Sequence, residues 1–188
     1  GLFGINELNY FLSIVFSVIT FIILINAFNL IDGIDGLAGS YGVICFALFG
    51  ISYYRLGEYN YPLVILSTSI IGAILGFLYF NLSDKSKKIF MGDTGSMVLG
   101  FLLTFTAICF IDIFIAKRSA EGVYYHLKSA PVIAVAILIL PIVDTMNVII
   151  IRLANKKSPF EADKNHIHHK LLKLGLTHKK ATISILCY

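Results

Sequence analysis

Charge is scarce in this chain. Asp, Glu, Lys and Arg make up 14% of its 188 residues, while 57% are hydrophobic. A water-soluble domain needs roughly 25% charge to cover its surface, so a chain built of soluble, cytosolic-type domains is excluded. Cysteine is scarce too. Cys45, Cys109 and Cys187 each sit in an apolar run, far apart and without Cys-x-x-Cys spacing. They read as small buried hydrophobes, not as a disulfide framework or a metal site. An adjacent pair of aspartates is absent throughout, and so is an initiator methionine. The sequence ends at Ala181-Thr182-Ile183-Ser184-Ile185-Leu186-Cys187-Tyr188, the opening of a further apolar run. We read residues 1–188 as one integral membrane domain, truncated at both ends, in which no signal peptide can be judged.

Apolar runs cover Tyr10–Asn29, Leu37–Tyr54, Tyr61–Leu82, Ser96–Ala116 and Pro131–Leu153, and a sixth begins near Ala181. Each approaches the ~20 residues that a helix needs to cross hydrocarbon. The expected fold is therefore all-α: a polytopic transmembrane bundle of five spans plus the start of a sixth. Gly72-x-x-x-Gly76 in the third run predicts a close helix–helix contact. Pro141 is expected to interrupt the fifth.

Successive spans alternate direction, so the first, third and fifth links share one side. That side carries Lys85, Lys87, Lys88, Arg152, Lys156, Lys157, Lys164, Lys170, Lys173, Lys179 and Lys180. The opposite side carries only Arg55, Lys117, Arg118 and Lys128. The richer side should be cytoplasmic, and it holds nearly every unusual polar cluster.

The first cluster is Asn29-Leu30-Ile31-Asp32-Gly33-Ile34-Asp35-Gly36. If the helix continues, Asn29, Asp32 and Asp35 follow at i, i+3 and i+6, and the glycines allow a sharp turn. Carboxylates beside hydrocarbon cost on the order of 3 kcal/mol at mid-bilayer and less near the surface. The bland alternative is a polar helix end; an EF-hand fails on aspartate spacing and the missing closing Glu. The second is Phe90-Met91-Gly92-Asp93-Thr94-Gly95-Ser96. Backbone amides at a helix start suit a phosphate, and Asp93 could hold Mg²⁺ together with substrate phosphates or serve only as an N-cap. Its letters also fit the aspartic protease signature, but a second such Asp and a β-rich context are missing. The third is Asp163-Lys164-Asn165-His166-Ile167-His168-His169-Lys170. Ile167, Leu171 and Leu174 form the apolar stripe of an interfacial helix that Gly175 would stop. Phosphate contact, a solvated basic face and zinc all stay open for its histidines. On the fifth run, Asp144 and Asn147 near Pro141 fit either a functional role or helix–helix hydrogen bonding.

These three clusters together resemble the signatures of the polyprenyl-phosphate N-acetylhexosamine-1-phosphate transferases, in order and over essentially the whole chain. Ser158-Pro159-Phe160 before Asp163 adds to the likeness. His166-Ile167-His168-His169, in place of three consecutive histidines, is similar to the WecA/TagO-like branch, which moves GlcNAc-1-phosphate or a close relative. The resemblance implies transfer from a UDP-N-acetylhexosamine to undecaprenyl phosphate with release of UMP, in a bacterial inner membrane, with active-site loops in the cytoplasm. It implies Mg²⁺, with Mn²⁺ as an alternative, held by Asn29 and Asp93, with Asp32 beside the metal. Catalytic roles fall to Asp32, Asp35 and Asp93. It assigns uridine contacts to Asp35, Asn81 and Phe90, and diphosphate or sugar contacts to Arg152, His166, His168 and His169. The partners are the two substrates and the bilayer, with self-association into a homodimer open and no nucleic acid expected. The family's Asp-Asp pair is expected upstream of Gly1, so the fragment alone should be inactive. Competing readings are a phospho-MurNAc-pentapeptide transferase and an ion-coupled transporter using Asp32, Asp35 and Asp144; an intramembrane aspartyl protease is more distant.

Overall fold

A computed structural model describes residues 9–83, 86–115, 127–155, 167, 171–172 and 174–187. Among the described residues the chain is helical and without strands. The helices are α1 (Tyr10–Ile31), α2 (Leu37–Arg55), α3 (Tyr61–Asn81), α4 (Gly92–Ile115), α5 (Ala130–Ile137), α6 (Ile139–Ala154) and α7 (His178–Cys187). A single 3-10 turn, Glu58–Asn60, precedes α3.

Four of these helices are long and apolar enough to cross a membrane, or five spans if the bent pair α5–α6 counts as one. The chain is thus a multi-pass membrane protein. In hydrocarbon every backbone polar group must be satisfied within the segment, which only a helix achieves for a lone span. Side-chain hydroxyls obey the same constraint. Thr20, Ser52, Ser67 and Thr104 each donate to the carbonyl four residues earlier at 2.8 Å.

Helix α2 is the hub, packing on α3 and α4, while α1 packs on α4 and α6. Phe28, Phe46, Phe49 and Tyr53 fill the interior. Glycines set the closest approaches. A Cβ on Gly39 would lie 2.8 Å from Leu78 Cδ2, and one on Gly100 would lie 2.9 Å from Phe28 Cβ and 3.0 Å from Ile25 Cα.

The glycine expectation needs correction. Gly72 and Gly76 make no close contact among the described residues, because a Cβ on either would meet nothing within 4 Å. The α2–α3 seam runs along the other face of α3, through Ile74 and Leu78. The fifth span is interrupted as expected, with the 73° bend at Leu138, three residues before Pro141. Proline has no N–H for the carbonyl four residues earlier, and its ring crowds that carbonyl, so the strain falls at Ile137. There the Tyr41 hydroxyl of α2 donates to the Ile137 carbonyl at 2.7 Å and accepts from the Leu140 N–H at 3.2 Å. Cys45 Sγ donates to the same carbonyl at 3.3 Å. One tyrosine closes the gap in the ladder.

The expected interfacial helix is described only at Ile167, Leu171 and Leu172. Gly175 ends it at φ +84, with its N–H donating to the Leu172 carbonyl at 3.0 Å. Leu171 and Leu172 pack against the core. Leu174, expected on the apolar stripe, is 79% exposed, because the helix has already ended there.

Candidate functional site

The α1–α2 link turns sharply. Helix α1 stops at Ile31, so Asp32 is its C-cap and not part of a continued helix. Gly36 adopts φ +75, a left-handed conformation that costs glycine little. A Cβ there would also press to 2.8 Å from Leu82 Cδ2. The link is pinned from α3. Buried Asn81 accepts the Gly36 N–H on its Oδ1 at 2.7 Å and donates from Nδ2 to the Ile89 carbonyl at 2.9 Å. One carboxamide therefore ties the first and third links together.

Helix α4 begins at Gly92, with Asp93 in its first turn, where a negative charge faces the positive end of the helix dipole. The buried Ser96 hydroxyl donates to Asn29 Oδ1 and lies 3.2 and 3.1 Å from the carbonyls of Gly92 and Asp93. One turn further along, Gly100 lets α4 lie against Ile25, itself one turn from Asn29. The glycine seam thus sets the register in which Asn29 meets the start of α4.

Together these links form a cleft of about 410 Å³. It is lined by Asn29, Asp32, Asp35, Asn81, Phe90 and Asp93, all expected from the sequence, and by Lys88 and His178, which were not. Lys88 Nζ lies 2.5 Å from Asp35 Oδ2, and His178 Nδ1 lies 3.4 Å from the same oxygen. Thr182, one turn beyond His178, donates to the Asp35 carbonyl at 2.8 Å. Phe90 is 75% exposed, with Lys88 Nζ 5.3 Å from its ring centroid. The α1–α2 link, the α3–α4 link and the start of α7 therefore meet at one end of the bundle, as the parity of the spans requires.

Charge in the cleft is unbalanced. Burial first, then the negative charges of Asp93 and Asp35, push the Asp32 carboxyl up to about 6. Lys88 and His178 engage Asp35, so Asp32 and Asp93 form the more anionic part. The donors there are all oxygens: two carboxylates and the Asn29 carbonyl, which has two lone pairs and gives one to Ser96. Among the described residues no three His, Cys, Asp or Glu side chains form a metal cage. That set suits a hard cation that also draws ligands from phosphate oxygens.

Arg152 sits on α6, 8% exposed, outside the described lining of this cleft. His166, His168 and His169 lie outside the described residues. Lys88 and His178 both fall on the side of the membrane that the parity of the spans assigns to the polar clusters. Their partnership with Asp35, across 53 and 143 residues of chain, exists only after folding.

Residues 1–111 match the family described as glycosyl transferase family 4. The decaprenyl-phosphate N-acetylglucosaminephosphotransferase of Mycolicibacterium smegmatis is 34% identical over 168 residues, which cover 86% of this chain and 41% of that protein. The undecaprenyl-phosphate alpha-N-acetylglucosaminyl 1-phosphate transferase of Escherichia coli K12 is 34% identical over 163 residues, again 86% of this chain and 41% of the relative. The chain thus spans about 41% of the length of the curated relatives it matches.

Proposed function

The chain belongs to glycosyl transferase family 4, and from that premise we propose that it forms the nucleotide-sugar end of a membrane phosphosugar transferase. The donor is a UDP-N-acetylhexosamine, UDP-GlcNAc first, and the acceptor is undecaprenyl phosphate or a similar polyprenyl phosphate. A phosphate oxygen of the lipid attacks the sugar-bearing phosphorus of the donor. A new P–O–P link forms, the bond to the bridging oxygen breaks, and UMP leaves. The names of the relatives support the acceptor and the sugar phosphate. The product would enter cell-envelope polysaccharide synthesis, with the cleft facing the cytoplasm of a bacterial inner membrane.

The observation that carries this reading is the convergence of Asn29, Asp32, Asp35, Asp93 and Phe90 on one cleft at the helix ends. An ion-coupled transporter places its key charges near the middle of its spans, and these lie at the rim. Both reactants are anions, so repulsion must be offset before attack, and positioning with charge neutralisation supplies most of the catalysis in phosphoryl transfer. Asn29 and Asp93, with Asp32 alongside, would hold Mg²⁺, which when bound neutralises phosphate charge. The Phe90 face is open for stacking on a base, and Asp35, oriented by Lys88 and His178, presents a hydrogen-bond acceptor beside it. Arg152 and the histidines at 166, 168 and 169 would complete the contacts to diphosphate and sugar.

Full-length protein in membranes, given UDP-GlcNAc, undecaprenyl phosphate and Mg²⁺, should release UMP. EDTA should abolish the release. Asp93→Asn should lower it by on the order of 10²-fold or more, the scale of losing one preorganised electrostatic group. Wild-type turnover in Asp93→Asn would remove the metal assignment. Faster turnover of UDP-MurNAc-pentapeptide than of UDP-GlcNAc would move the protein to the peptidoglycan branch.

A further inference from the structure

A hydroxyl on an apolar helix is satisfied most directly by its own backbone, at the carbonyl four residues earlier. Ser17, Thr20, Ser52 and Ser67 all follow that rule. So does Ser184 of α7, which donates to the Lys180 carbonyl at 2.9 Å. Thr182, two residues before it, does not. Its hydroxyl leaves α7 and donates to the Asp35 carbonyl at 2.8 Å, across 147 residues of chain. Ala181 and Thr182 are the buried positions of α7, and Thr182 is 5% exposed.

The bond falls on a peptide group that is already held from its other side. The Asp35 carbonyl and the Gly36 N–H belong to one planar peptide unit. Its N–H donates to Asn81 Oδ1 of α3 at 2.7 Å, and its oxygen accepts from Thr182 of α7. Gly36 is buried, so both polar atoms of the unit need a partner. Held at the N–H alone, the unit could still pivot about that bond. Held at both atoms, it fixes ψ of Asp35 and φ of Gly36, the left-handed +75 at which the link turns into α2. The Asp35 side chain branches beside that unit, so the clamp also sets where its carboxylate stands, 2.5 Å from Lys88 and 3.4 Å from His178. His178 lies one turn before Thr182, so α7 grips Asp35 through main chain and side chain together.

We propose that Thr182 is a positioning residue for the nucleotide end of the cleft. By holding the Asp35–Gly36 peptide unit against α3, it fixes the direction from which the Asp35 carboxylate meets a base stacked on Phe90. This rests on the transferase reading above. Thr182 is outside the described lining of the cleft and acts through Asp35, so its loss should weaken donor binding and spare the lipid acceptor.

Two variants of the full-length protein test it. Thr182→Val removes the hydroxyl at nearly constant volume, and Thr182→Ser keeps it. Amide hydrogen exchange at Gly36, the other end of the clamped unit, and the KM for each substrate are measured on both. In Thr182→Val, exchange at Gly36 should quicken and the KM for UDP-GlcNAc should rise, each by roughly fivefold, the scale of one lost hydrogen bond between neutral groups. Exchange within α4 and the KM for undecaprenyl phosphate should stay at their wild-type values. Thr182→Ser should sit close to wild type throughout. Wild-type exchange at Gly36 in Thr182→Val overturns the proposal. So does an unchanged donor KM, an equal rise in both KM values, or a quickening that extends through α4. If Thr182→Val is not recovered from membranes, Thr182→Ser decides: wild-type protection of Gly36 with a wild-type donor KM supports the clamp, and loss of either overturns it. Absence of UMP release from wild type would sink the transferase reading alone, since exchange at Gly36 still reports on the clamp.

Discussion

Helices α3 and α4 are both long, apolar and able to span a membrane, yet they are used differently. Of the α4 span, 39% is buried, against 17% of the span that includes α3. Each carries glycines. Gly100 of α4 lies so close to α1 that a Cβ would reach 3.0 Å from Ile25 Cα, whereas a Cβ on Gly72 or Gly76 of α3 would meet none of the described residues within 4 Å. A pair of glycines four residues apart is a licence for close packing, not evidence of it. What decides is which face the neighbouring helices cover, and on α3 that face is the one bearing Ile74 and Leu78. The same difference extends to the ends. Helix α4 starts in the cleft with Asp93 and is locked to α1 through Ser96 and Asn29, so its packing and its chemistry share a register.

That contrast can be broken or sharpened by substitution. The largest effect is expected from Gly100→Ala, where the new methyl meets the Ile25 backbone and forces α1 and α4 apart. A loss of about 2 kcal/mol is the usual scale of such overpacking, read as a fall in thermal midpoint in detergent. Activity should fall as well, because Asn29 and Ser96 sit one turn away. A Gly100→Ala protein as stable as wild type would mean that the seam is not tight.

A smaller effect is expected beside the start of α4, where burial first, then Asp93 and Asp35, raise the Asp32 carboxyl to about 6 from its ordinary 3.8. The folded chain therefore holds that proton longer than the unfolded chain does. The associated stability is complete below the unfolded value and is lost as pH rises through about 6. With allowance for solvent screening the effect is about 1 kcal/mol. Midpoints measured from pH 4 to 7 should fall more in wild type than in Asp32→Asn. Equal slopes would mean that burial and the neighbouring carboxylates do not raise the Asp32 carboxyl. The smallest effect belongs to Gly72→Ala, which should raise stability by about 0.5 kcal/mol, since alanine restricts the unfolded chain and meets no neighbour. Destabilisation there would show that the outer face of α3 is packed after all.

Much of this was readable before folding was considered. The ends of α1, α2 and α3 fall within two residues of the apolar runs, because Asn, Asp, Gly and Arg bound each run. Six of the expected site residues line one cleft, since alternating spans must bring the first, third and fifth links to one side. Other features were hidden. Pro141 announces a break, but its position depends on Tyr41, 96 residues away from Ile137 on another helix. Lys88 and His178 look like ordinary basic residues until Asp35 stands between them.

The order of amino acids alone determined that this chain is a set of membrane-crossing helices with its polar clusters on one side, because apolar length and alternation are local properties. Only the tertiary structure decided which glycines pack, where the fifth span bends, and which cations the carboxylates hold. Those depend on distances between residues far apart in the chain, and no local pattern carries a distance.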